Sequence, residues 1–203
     1  TVILSATSLT ALALGAGASG WYGVSVLSKE LKYGTDELVP GLAALANQRG
    51  RFNELGVDLG GAILTPDAAK ARKLIAHADE LTVVVDKSIV DFEALVHTDK
   101  ERALYEELVV KWSAWKVEHA SLRAATLTMN DKQAIAIYTG RFSEASEAVR
   151  ATLRSFTKIE QEKSEAAAAA GKAAQDEAAR LLLLMLGLTI VAAGAIIVIL
   201  DKR

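Results

Sequence analysis

Through the middle of the chain, apolar residues recur at alternating steps of three and four. The first such stripe runs Leu38, Leu42, Leu45, Arg49, Phe52, Gly56, Leu59, Ile63. A second runs Leu74, Ala78, Leu81, Val85, Ser88, Phe92, Leu95. A third runs Tyr105, Leu108, Trp112, Trp115, His119, Leu122, Thr126, Met129, and a fourth Ile135, Tyr138, Phe142, Ala145, Val149, Thr152, Phe156, Ile159. This period belongs to an amphipathic α-helix packed knobs-into-holes, not to a strand. Polar and helix-favouring residues (Ala, Glu, Lys, Arg) fill the positions between.

Cap signatures divide the stripes. Thr65 stands as N-cap before Pro66 at a first helical position. Thr98 with Glu101 forms a capping box, and Asn130 with Gln133 a box-like pair. The connections are short, so successive helices are antiparallel neighbours. The expectation is all-α: an up-down-up-down four-helix bundle. Its second helix covers about 66–96, its third about 99–128, and its fourth starts near Asp131. No stop signal follows, so the fourth is read as continuing through Ser164–Arg180 to Leu200, a rod of roughly 105 Å at 1.5 Å per residue. Gly34, Pro40 and Gly41 predict a kink or break at the entry to the first helix.

The two ends change the picture. Apolar residues make up 51% of the chain and mean hydropathy is +0.24. Residues 1–28 carry no charged side chain, and neither does "LLLLMLGLTIVAAGAIIVIL", Leu181–Leu200. About 20 apolar residues span a bilayer. For the first stretch a signal peptide competes, but the uncharged run is longer than an ordinary signal core, and Trp21 and Tyr22 fit an interfacial aromatic belt. Ala11, Gly15, Ser19 and Gly23 form a ladder that suits close helix packing in lipid. Lys202 and Arg203 favour a cytoplasmic C-terminus. The expected organisation is a transmembrane helix over 1–28, an external domain over 29–180, a second transmembrane helix over 181–200, and the start of a cytoplasmic linker at 201–203.

Candidate chemistry is sparse. His77, His97 and His119 are scattered, with no cysteine and no metal-ligand spacing. There is no nucleophile elbow, P-loop or dinucleotide fingerprint. We expect no catalytic residue, no metal and no cofactor, hence no enzyme. The net charge is −2 with no basic block, which argues against a nucleic-acid partner.

Three stretches carry a resemblance. "TDELVPGLAALANQRGRFNEL", Thr35–Leu55, resembles the first helix of the four-helix-bundle sensor domain of bacterial methyl-accepting chemotaxis proteins. "TDKERALYEELVVKWSAWK", Thr98–Lys116, is similar to the opening of its third helix, and "SEAAAAAGKAAQDEAAR", Ser164–Arg180, to its exit into the membrane. The resemblance implies a receptor of the inner membrane with a periplasmic sensor domain and a cytoplasmic signalling module in the same chain. It implies a homodimer in which helix 1 faces its copy. It also implies an amino-acid-type ligand near the membrane-distal end, whose carboxylate is held by helix 1 arginines and by the start of helix 4. Carried onto this chain, the binding residues are Arg49, Arg51, Tyr138, Thr139 and Arg141. The spacing does not reproduce the family's arginine triplet, so the expected ligand is a small anion, amino acid or organic acid. Arg49 has a structural alternative: stacking on Trp112 and Trp115, or pairing with Glu144 or Glu147. Two other readings stay open: the sensor half of a histidine kinase or diguanylate cyclase, and a membrane-tethered helical scaffold without a small ligand.

Overall fold

A computed structural model describes residues 21, 23–26, 28–29 and 32–201. The expected first membrane helix lies outside the described residues except for a few positions at its end, and so does its small-residue ladder except for Gly23. The chain divides into two compact units, Glu37–Glu162 and the terminal segments Thr1–Asp36 with Lys163–Arg203.

The first unit is a helical bundle. A π-helical turn, Gly34–Leu38, leads into α1, Val39–Leu64; then come α2 (Ala68–Phe92), α3 (Asp99–Leu127), α4 (Asp131–Thr139) and α5 (Arg141–Asp201). The irregular turn falls where Gly34 and Pro40 predict one, and Pro40 occupies the first turn of α1, where its missing N–H costs no bond.

The buried face of α1 is Gly41, Leu45, Gln48, Phe52, Leu55, Asp58, Leu59 and Ala62. This corrects the expected stripe at Arg49, which is exposed, and at Gly56, which is only partly buried. From Leu45 to Phe52 the helix can step by four and then three, or by three and then four. The second choice buries a neutral amide, Gln48, and leaves the guanidinium in water, avoiding the cost of an unpaired buried charge.

The caps follow the same physics with one correction. Asp67, not Thr65, is the N-cap of α2: its Oδ1 accepts from the N–H of Ala69 at 2.8 Å and of Lys70 at 3.2 Å. Thr65 instead ends α1, and its hydroxyl accepts from the N–H of Asp67. The α2 helix stops at Phe92 and closes with a 3₁₀ turn, Glu93–Leu95, short of the expected Val96. The Thr98–Glu101 capping box forms, and the Asn130 side chain accepts from the N–H of Gln133.

The fourth helix is not continuous from Asp131. It breaks at Gly140, where a Cβ would lie 3.0 Å from the Ala136 carbonyl oxygen. The break shifts the register. In α4 the buried residues are Ala134 and Ile137, while Ile135, expected in the core, is 47% exposed. Met129, expected in the third stripe, lies past the end of α3 with φ of 53°, in the left-handed region.

One apolar core joins these helices. Its centre is aromatic: the Trp112 and Trp115 rings stack at 4.6 Å, His119 stacks on Trp115 at 5.0 Å, and Phe52 packs against both indoles. Each indole N–H is satisfied, Trp112 by Asp86 Oδ1 at 2.6 Å and Trp115 by Ser146 Oγ at 3.0 Å. Buried Trp needs such a partner for its polar end.

In the second unit α5 runs on through the alanine-rich stretch and Leu181–Leu200. Among the described residues one helical stretch, Asp131–Ala195, which includes most of α5, is long and apolar enough to cross a membrane; its most apolar window has a mean hydropathy of 2.0 and 0% of it is buried. Leu183, Leu184 and Val191 are exposed there.

Candidate functional site

The five expected binding residues do not converge. Arg51 is exposed on α1 and lies 3.5 Å from Glu54, one turn along the same helix. It sits on the side of α1 that faces α2, the side on which Asp58 Oδ2 accepts from His77 Nδ1 at 2.6 Å. Tyr138 is at the other flank. A Cβ at Gly60 would lie 3.0 Å from its hydroxyl, so the missing side chain lets the phenol reach the α1 backbone. The Thr139 hydroxyl donates to its own helix, at the Ile135 carbonyl. Arg141 lies 3.5 Å from Glu118 on α3.

Arg49 is elsewhere again. It lines a cleft of about 60 Å³ with Phe52, Asn53, Arg150, Leu153 and Arg154, between α1 and α5. It does not stack on Trp112 or Trp115, whose faces are taken by each other, Phe52 and His119. The cation over an aromatic ring here is Arg150, whose guanidinium carbon is 5.4 Å from the centre of Phe52. Glu147, a candidate partner of Arg49, bonds Arg154 instead, and that bond holds its carboxyl below the usual range. Arg150 and Arg154 escaped the sequence reading. On a helix surface, arginines four apart look like an ordinary solvated face.

Polar groups in the interior are the remaining candidates. Burial pushes the His119 imidazole below its ordinary value of 6.5; Asp79, 3.8 Å from Nε2, opposes that shift, and Arg123 adds to it. Nε2 itself has no hydrogen-bond partner among the described residues. Arg123 is held by Asp79 at 2.8 Å, and Lys116 by Asp86 at 2.8 Å, so pairs link α2 to α3 along their length. No group of three or more His, Cys, Asp or Glu among the described residues could hold a metal ion.

Residues 2–174 match the profile of a family described as a four helix bundle sensory module for signal transduction. The chain belongs to that family. The match covers most of the sequence, and the observed helices give it the all-α bundle that the description requires. No curated protein matches the chain. In this sensory module the bundle and the apolar segment Leu181–Leu200 share a helix, α5.

Proposed function

We propose that this sensory module is the receptor half of a membrane chemoreceptor. It senses a small anionic ligand, an amino acid or organic acid, from the periplasm and acts by binding, without catalysis. The ligand shifts α5, which carries the signal to a cytoplasmic signalling module. The observation that supports this most directly is α5 itself. It is helical without interruption from Arg141 to Asp201 and contains both bundle-packing residues, such as Phe156, and the apolar segment. A helix of that kind can pass on a small axial or rotational displacement, which belongs to the known repertoire of packed helices.

The ligand reading rests on α1. Its outward face carries Ala43, Gly50, Val57 and Leu64, with Val57 73% and Leu64 81% exposed. Small and apolar residues on an exposed helix face suit a second copy of the chain. In a two-fold dimer across that face, Arg51 of each copy flanks the junction. Across the two-fold, Arg51 of one copy with Tyr138, Thr139 and Arg141 of the other would offer guanidinium and hydroxyl groups to a carboxylate. The test is a thermal-shift screen of amino and organic acids on the detergent-solubilised chain. A carboxylate hit that Arg51→Ala abolishes supports the site. The same hit undiminished in Arg51→Ala removes Arg51 from it.

A further inference from the structure

The arginine cleft between α1 and α5 is a different place from the Arg51 flank, and it has its own electrostatics. Three guanidiniums, of Arg49, Arg150 and Arg154, surround about 60 Å³ of space. The one carboxylate bonded to them is Glu147, through Arg154. Arg49 and Arg150 have no ion-pair partner among the described residues. Glu147 also feels the charge of Arg150, and three guanidiniums with one carboxylate leave a net positive excess in one concave spot.

The geometry is prepared rather than incidental. Phe52, a core residue only 3% exposed, presents its ring to Arg150, whose guanidinium carbon lies 5.4 Å from the ring centre. Gly56 lies one turn along α1, and a Cβ there would make only an ordinary contact, 3.7 Å from Arg150 Nη2. The Asn53 amide lines the same wall. A cleft of this volume equals about two water molecules of liquid. It admits the head of one tetrahedral or planar oxyanion.

We propose that this cleft binds a small dianionic oxyanion of the phosphate or sulfate class, bridging Arg49 on α1 to Arg150 and Arg154 on α5. Guanidinium forks match such oxygens in paired, charge-assisted hydrogen bonds. The net positive excess of the cleft fits a dianion better than a monoanion. A bound ion would tie α5 to α1 and so bias the helix that leaves the bundle. The proposal does not depend on the ligand reading above, because it uses none of Arg51, Tyr138, Thr139 or Arg141.

The test uses the full chain in detergent and titrates sodium phosphate, sodium sulfate and glycerol 3-phosphate against sodium chloride at matched ionic strength, following Tm. The expected result is a saturable rise in Tm with phosphate and sulfate beyond that of chloride. Arg49→Gln, at an exposed position that does not threaten the fold, should weaken phosphate binding about tenfold or more. Arg150→Gln should do the same, and Arg51→Ala should leave phosphate binding unchanged. A response to glycerol 3-phosphate alone would keep the site and assign it an organic phosphate. A rise equal to that of chloride, or a wild-type titration in the Arg49→Gln/Arg150→Gln double variant, overturns the proposal.

Discussion

Gln48 Nε2 donates to the Ser88 carbonyl across the α1–α2 contact at 3.1 Å. That bond sets the rotation of α1 about its axis. With Gln48 inside, Arg49 turns toward α5 and Arg51 toward α2, about 200° apart on a 3.6-residue helix. Gln48 Oε1, however, is buried with no hydrogen-bond partner among the described residues.

The orphan oxygen gives a stability prediction. Losing the Nε2 bond costs roughly 1 kcal/mol, while an unsatisfied buried acceptor costs roughly 1–3 kcal/mol. Gln48→Leu keeps the volume and removes both. It should be neutral or up to about 1 kcal/mol more stable by thermal melts followed by circular dichroism. A clear loss of stability would mean that the bond to Ser88 outweighs the orphan.

The start of α3 makes a second. Glu101 is 1% exposed and its Oε2 accepts from the N–H groups of His97 and Thr98, both at 2.9 Å. Thr98→Ala removes one cap bond and should cost about 1 kcal/mol. Glu101→Ala strips the acceptor from two donors and should cost more, about 2–3 kcal/mol. Equal losses in the same melts would contradict this ranking.

At the end of α3, Met129 holds a left-handed backbone, with φ of 53°, and is 43% exposed. A residue with a Cβ pays about 1–2 kcal/mol there, and glycine does not. Met129→Gly should raise Tm, and a fall in Tm would show that the thioether packs more than its exposure implies.

His119 gives the pH dependence. Its imidazole is buried, and burial depresses its pKa in the folded chain. The unfolded chain therefore takes up its proton at higher pH than the folded one. The stabilising contribution is complete above about 6.5, the unfolded value. It is lost as the pH falls from there toward the depressed folded value. Asp79 on α2 and Arg123 on its own helix oppose and reinforce the depression, respectively. Tm should fall as the pH drops below 6.5, and His119→Phe, which keeps the stack on Trp115, should flatten that slope. An unaltered slope in the variant would place the titrating group elsewhere.

Much of the bundle was legible because most core positions stand between clearly polar neighbours. Trp112, Trp115, His119 and Leu122 lie in the core as their spacing predicts. The capping box at Thr98 was equally plain, since its two side chains serve each other. Three features were not legible, each for a physical reason. A stripe can step by three or four between the same anchors, and only packing against Ser88 decides for Gln48 over Arg49. Thr65 and Asp67 are both good caps, and the choice depends on which free N–H groups the chain presents. The register shift at Gly140 leaves no trace in composition. The arginine cleft was hidden most deeply, because Arg49 meets Arg150 and Arg154 only once α1 and α5 lie side by side.

The central claim is that a ligand moves α5 against α1. The direct measurement is the distance between spin labels at two exposed positions, Ala46→Cys on α1 and Ser155→Cys on α5, in the membrane-embedded chain. The ligand is the carboxylate that the acid screen identifies. Its addition should shift the distance on the order of 1–2 Å, and Arg51→Ala should abolish the shift. Superimposable distance distributions with the ligand demonstrably bound would contradict the account.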